Sequence, residues 1–450
     1  MIALGGIIGA GLFVGSSAVI ETVGPGAVVS YLAAGVLVIL VMRMLGEMAV
    51  ANPSVGSFAD YTRSAIGGWA GFTTGWLYWY FWAIVLAIEA VAGAEILQRW
   101  IDLPTWLMSL VLMALLTTTN LWSVRSYGEF EFWFASIKVA AIIAFILIGA
   151  GWLFGLGSGD SPGLANLTTG GGFAPDGAAS LLSGIVVVIF AFVGAEIVTI
   201  AAAESEQPEE AVARSVRSVV YRVLVFYVLA VFLLVAVVPW TQVTTGESPF
   251  ISALDRIGIP GSADVMNAII VTAVLCCLNS GLYRGSRMLF GLARRGDAPK
   301  ALLDVNDRGV PVKAILLTTS IGFLSAILAY LSPDTVFLFL VNSSGAIALF
   351  VYLLIAVAQL RMRRQIEGES PERLKVRMWL YPWLTWASIV AIVAIVASMA
   401  FVNDEATRAY LVPSLISLAI VVAVAFGRER LPGRRTSPAA GRRRGTTATA

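Results

Sequence analysis

The sequence predicts an all-α polytopic membrane protein of twelve transmembrane helices, on three observations. Of its 450 residues, 58% are hydrophobic and only 13% charged, about half the charged share of a soluble domain. Apolar runs of the length a bilayer demands, about 20 residues, recur from one end of the chain to the other. Short polar stretches carrying turn-formers, among them "ETVGPG", "GSGDSPG" and "LSPD", separate those runs.

Taken in order, the spans cover 2–21, 27–50, 70–97, 105–123, 130–156, 179–202, 220–240, 265–286, 313–332, 335–360, 379–401 and 408–427. Span one closes at "ETVGPG", span five at "GSGDSPG" and span nine at "LSPD". Span eight runs into the basic "RMLFGLARRGDAPK", and span ten ends at "RMRRQ". The spans form one domain, 1–427. The basic remainder, 428–450, reads as a disordered segment at the membrane surface and not as a nucleic-acid binder.

Charge placement sets the orientation. Of thirty Lys and Arg residues, Lys138 falls within a span, and Arg99, Arg256 and Arg408 lie on one loop side. The remaining twenty-six lie on the other, which the positive-inside rule makes cytoplasmic together with both termini. The chain contains no histidine. That excludes Ser-His-Asp triads, histidine proton relays and histidine-held metals, so neither a metal nor a cofactor is expected. Cys276 and Cys277 are adjacent within a span and point in different directions, so no disulfide is implied. The opening run lacks the basic n-region of a secretory signal.

"GGIIGAG" places Gly5, Gly6, Gly9 and Gly11 inside span one, where each glycine weakens a helix by about 1 kcal/mol relative to alanine. Gly5 and Gly9 form a GxxxG pattern, which serves helix packing. Four glycines exceed one contact, however, and span six, "VVVIFAFVGAEIVTIAAAE", carries Gly194 in its middle beside Glu196. Matched interruptions in corresponding helices of two halves point to broken helices and an inverted-repeat transporter. A half-helix starting near Gly9 would offer N–H groups from Gly9, Ala10 and Gly11, backed by the helix dipole, to a carboxylate. Carbonyls near Ile7 and from Phe190 to Val193 would suit an ammonium. An anion site facing a cation site describes an amino acid.

These residues resemble the amino acid/polyamine/organocation superfamily, and within it the bacterial amino acid transporter family. The resemblance runs along essentially the whole chain: "GGIIGAGLFVGSS", "MRMLGEMAV", "GWLYWYFW", "SYGEFEFWFASIKV", "FVGAEIVTIAAAES" and "SSGAIAL". "CLNSGLYRGSRML" and "RMWLYPWLTW" are more specific to its GABA-type branch. The resemblance implies a LeuT-like five-plus-five inverted repeat, helices 1–5 and 6–10, with helices 1 and 6 discontinuous and helices 11 and 12 accessory. It also implies proton-driven uptake. Carried over by position, Ile7, Ala10 and Gly11 match main-chain substrate contacts, Phe190 an aromatic gate and Val193 a carbonyl contact. Relatives carry a basic leader before "MIALGG", so Met1 is expected to be an internal methionine of a longer protein.

Ionisable groups at membrane depth are functional candidates by default. Lys138, about three turns into span five, either snorkels to the cytoplasmic surface or, as the resemblance implies, stands against helix 1 where sodium-driven relatives hold a cation. Its proton would then couple to helix-1 movement. Glu196 either caps the second half of span six or senses protons beside it. Glu89 is a path-lining candidate, whereas Glu95 with Arg99 and Arg43 with Glu47 read as structural i,i+4 pairs. Cys277 matches a cysteine of the GABA-type substrate path, although a buried cysteine is usually a small hydrophobe. Asn279 would line the path or join helices. The thirteen tryptophans suit interfacial belts.

The expected function is proton-coupled import of GABA or a related ω-amino acid, with the amino acid, protons and the bilayer as partners. Alternatives are a permease for proline, β-alanine, an aromatic or a basic amino acid, or an exchanger. No nucleophile–base pairing, phosphate loop, output domain or pore filter supports an enzyme, a sensor or a channel.

Overall fold

The computed structural model describes residues 8–52, 58–122, 127–156, 161–196, 199, 202, 206–331, 333–401 and 405–430. Among them the chain is helical, with no strand. We number the helices α1 (Ala10–Phe13), α2 (Gly15–Val23), α3 (Ala27–Ala51), α4 (Phe58–Ala65), α5 (Gly68–Leu97), α6 (Thr105–Trp122), α7 (Tyr127–Leu153) and α8 (Ala178–Phe192). Then follow α9 (Pro208–Arg222), α10 (Ala230–Val237), α11 (Pro249–Ile257), α12 (Ser262–Arg294), α13 (Val312–Leu328), α14 (Pro333–Glu369), α15 (Trp383–Phe401) and α16 (Glu405–Glu429). A π-helical stretch, Val223–Leu229, joins α9 to α10. Among the described residues eight helical segments are long and apolar enough to cross a membrane, and three shorter apolar helices accompany them. Gly5, Gly6 and Ile7 lie outside the described residues.

Some helices exceed the expected spans. α14 continues to Glu369 because "RMRRQIEGE" consists largely of helix formers, and Arg363 and Glu367 close an i,i+4 ion pair at 2.7 Å. α9 begins at Pro208, with Glu209 and Glu210 in its first turn, where the dipole favours acids. α4 and α11 are short amphipathic helices that span-length hydropathy does not register.

α5 forms the axis of the bundle, packed on α6, α12, α13, α14 and α16. Its residues from Ala70 to Ile96 are nearly all buried, which is why this segment is apolar on every face. α8 packs on α2, α3 and α14. The α14–α8 crossing is closest at Gly345, where an added Cβ would fall 1.9 Å from the Val186 carbonyl oxygen. Backbone cannot rotate aside, so Gly345→Ala must push the two helices apart. Overpacking of this kind costs about 1–3 kcal/mol, and we expect a lower melting temperature in detergent than wild type; an unchanged melting curve would refute the close approach.

At the basic end a buried network replaces one expected pair. Arg43 does not join Glu47: its Nε donates to the Arg377 carbonyl at 2.9 Å and its guanidinium lies over the Trp379 ring. Glu47, 2% exposed, instead accepts from Arg363 and Gln359 of α14 and from the Met378 N–H. The i,i+4 spacing is real, but burial rewards the partner that satisfies the carboxylate on several sides.

Candidate functional site

The start of α1 is the centre of the site. Gly9 is extended (φ −145°, ψ −150°), and helical geometry begins at Ala10. Its lack of a side chain is required here, since a Cβ would fall 2.5 Å from Cys277 Sγ and 2.6 Å from Glu89 Oε1. That close packing brings α5 and α12 onto the exposed peptide groups. The Ala10 N–H, expected to be free for a ligand, donates to both carboxylate oxygens of Glu89 at 3.2 Å. An acid at a helix N-terminus gains from both the unpaired N–H and the dipole.

One residue earlier the polarity reverses. Lys138 of α7 donates from Nζ to the Ile8 carbonyl at 2.9 Å, and the Cys277 thiol approaches the same oxygen at 3.4 Å. Lys138 is fully buried, so it does not snorkel to either surface. It lies 3.9 Å from Cys277 Sγ and within electrostatic reach of Glu89. An ammonium on a carbonyl and a carboxylate on the neighbouring N–H thus clamp one short stretch of backbone.

The second interruption faces the first. α8 stops at Phe192; Val193 is extended and Gly194 takes φ +106°, a conformation glycine adopts without strain. Helical turns resume at Ala195 and Glu196. Glu196, 1% exposed, folds back to accept the Gly194 N–H at 3.0 Å, with the Tyr78 hydroxyl at 2.9 Å and the Tyr352 hydroxyl at 3.3 Å. One carboxylate therefore ties the break to α5 and α14. Tyr227, in the π-helical stretch, donates to the Ala191 carbonyl at 3.2 Å.

Between the two interruptions lies a cavity of about 20 Å³, lined by Gly11, Trp82, Glu89, Phe190, Val193 and Cys277. That volume holds about one water molecule. Phe81 and Phe190, with ring centroids 6.5 Å apart, border it.

A family model described as "Amino acid permease" matches residues 1–430. The chain belongs to the amino acid permease family. It is 53% identical to the gamma-aminobutyric acid permease of Bacillus subtilis strain 168 over 433 residues, covering 96% of this chain and 92% of that protein. It is 48% identical to the gamma-aminobutyric acid permease of Escherichia coli K12, covering 86% and 84%. To an aromatic amino acid transport protein of Corynebacterium glutamicum it is 40% identical, covering 95% and 92%. It is a transport protein, then, and not an enzyme.

In the permease, Gly9, Ala10, Gly11, Phe190, Val193, Gly194, Lys138, Glu89 and Cys277 all come together around this small cavity or the two interruptions beside it. Glu196 anchors the outer wall of that cluster through the tyrosines. Ile7 lies outside the described residues. Asn279 is placed elsewhere, its Oδ1 accepting from Asn120 of α6 at 2.7 Å, where it joins two helices. Arg99 pairs with Asp264 at the end opposite the basic loops. Arg284, counted with the loop charges, lies inside α12 with its guanidinium 4.8 Å from the Trp82 ring centroid.

Sequence reasoning missed the aromatic wall of the permease. "GWLYWYFW" reads as an interfacial belt, yet Tyr78, Phe81, Trp82, Val85 and Glu89 recur at helical spacing and form one stripe of α5. The deep glutamate at the end of that stripe was the signal that marked this face as the site. Tyr227 and Tyr352 carried no comparable signal, because each is a single polar tip in an apolar run.

Proposed function

We propose that this permease imports GABA or a related ω-amino acid across the bacterial cytoplasmic membrane, coupled to protons and working by alternating access. The supporting observation is the opposed pair at the start of α1, Glu89 on the Ala10 N–H and Lys138 on the Ile8 carbonyl. In this reading the helices form a twelve-span, five-plus-five repeat within residues 1–427, with the basic loops and both termini in the cytoplasm and 428–450 as a basic tail.

The chemistry follows from competition for those peptide groups. A substrate carboxylate seeks the same N–H groups that Glu89 now occupies. Once displaced, the Glu89 carboxylate is available to the substrate ammonium across the cavity. Carbonyls around Phe190 to Val193 offer that ammonium further acceptors. Transfer of the Lys138 proton would remove the positive charge that strengthens its hydrogen bond to the Ile8 carbonyl, loosening its hold on the start of helix 1. Glu196 and its two tyrosines then transmit the rearrangement of the second interruption to α5 and α14. The similarity to permeases whose names specify gamma-aminobutyric acid supports the ω-amino acid as cargo.

Purified permease in proteoliposomes, given labelled GABA and an inward proton gradient, is expected to concentrate it. Uptake should collapse with a protonophore, require no internal amino acid, and be competed by unlabelled ω-amino acids more strongly than by proline or tryptophan. No uptake, or uptake that persists with a protonophore and needs internal amino acid, would overturn the proposal.

A further inference from the structure

A second cavity, separate from the central one, opens among the described residues of the permease. It has a volume of about 570 Å³ and lies at the end opposite the basic loops, within the size range of small-molecule sites. The central cavity, at about 20 Å³, is far smaller. The charged lining of the larger chamber consists of Glu95, Glu247 and Asp255 against Arg99 alone. Arg99 is engaged by Asp264, and Arg256, next to Asp255, donates instead to Gln242 at 3.0 Å. The chamber is therefore net acidic.

Polar side chains in its wall have spare capacity. Asn267, 1% exposed, donates from Nδ2 to the Ile96 carbonyl at 3.1 Å, and its Oδ1 has no partner among the described residues. Ser248, 5% exposed, likewise has an unpartnered Oγ. Both line the chamber. Buried polar atoms of this kind are costly unless something satisfies them.

The chamber also bridges two parts of the fold. Its floor comes from α5 and α12, while its roof, Thr244 to Ser248, is tied to α2. Glu21 Oε2 accepts the Thr245 N–H at 3.0 Å together with its hydroxyl, and Ser17 Oγ accepts the Gly246 N–H at 3.2 Å. α2 follows directly on the half-helix that begins at the central site, so these hydrogen bonds link roof and site through one short segment.

We infer that this chamber is an outer waiting site for a small molecule bearing a primary ammonium, namely the ammonium end of the transported amino acid before it reaches the central cavity. Glu247 and Asp255 at its rim attract the cation, and Asn267 and Ser248 supply neutral acceptors below. The assignment rests on the import reading above, with this end outside.

A thiol reporter tests it independently of transport. Ser252 lines the chamber, and Ser252→Cys should react on the order of tenfold faster with a cationic methanethiosulfonate than with an anionic one, each rate being taken relative to that reagent's rate with a small free thiol, as a focused acidic field predicts. The unsubstituted permease, whose two cysteines are buried, serves as control. Thr244→Cys, an exposed position, is a second reporter should the first misfold. Butylamine should slow the cationic labelling and butyrate should not. Glu247→Gln with Asp255→Asn, both exposed positions, should bring the two rates close together and remove the butylamine effect. Equal rates for both reagents, or butyrate slowing labelling as strongly as butylamine, would overturn the waiting site even if GABA uptake succeeds. Charge-selective, butylamine-sensitive labelling without GABA uptake would uphold the chamber and reject the cargo.

Discussion

Lys138→Ala is expected to abolish concentrative uptake while leaving exchange of substrate across the membrane measurable. Lys138 is fully buried and its ammonium holds the Ile8 carbonyl at 2.9 Å, one residue before the extended Gly9. Alanine removes the donor and its charge, so in the coupling proposed above helix-1 movement would lose its tie to the proton. One charge crossing 100 mV supplies about 2.3 kcal/mol, roughly fifty-fold accumulation. The variant should fall from that range to equilibration. Counterflow, in which internal unlabelled substrate drives labelled substrate inward, needs no coupling and shows that the protein is folded. If accumulation is undiminished, Lys138 has no part in coupling.

Glu47→Ala should produce the largest loss of stability. Its carboxylate accepts from Arg363, Gln359 and the Met378 N–H in a buried setting. Removing one member of a buried ion pair costs up to about 3–5 kcal/mol; Arg363 keeps Glu367 at 2.7 Å, but its buried Nη1 loses its acceptor. Here two further donors lose their acceptor as well. The variant should unfold at clearly lower temperature or denaturant concentration in detergent. Replacing the pair by apolar side chains, Glu47→Leu with Arg363→Met, should recover part of the loss, since no buried guanidinium is then left short of an acceptor. A single variant as stable as wild type would mean that the network is dispensable.

The two predictions differ in how much of their basis could be read without coordinates. Lys138 stands out in the sequence because a lone cation in "FASIKVAAIIAF" has few places to go. Its acceptor, one carbonyl on a distant segment, is invisible there. Glu47 was paired on spacing with Arg43, four residues earlier, whereas the buried partner lies 316 residues away. Helical spacing identifies residues that share a face; it carries no information about which remote side chain meets that face.

The same division applies to the interruptions. Gly194 could be singled out because glycine is disfavoured inside a helix and tolerated where the backbone leaves it, and the structure gives it φ +106°. That the Ala10 N–H would be taken by Glu89 could not be seen, because α5 reaches that point only through packing against glycine.

By itself the sequence determined that this chain is helical, that its helices are apolar enough for a membrane, and which few polar residues are too deep to be incidental. These follow from composition and periodicity, which are local properties of the chain. Only the tertiary structure decided which groups those residues meet: Glu89 with Ala10, Lys138 with Ile8, Glu196 with Tyr78 and Tyr352, Glu47 with Arg363. Partner choice for a buried charge is set by competition among all groups brought within reach, and that reach exists only once the helices have packed.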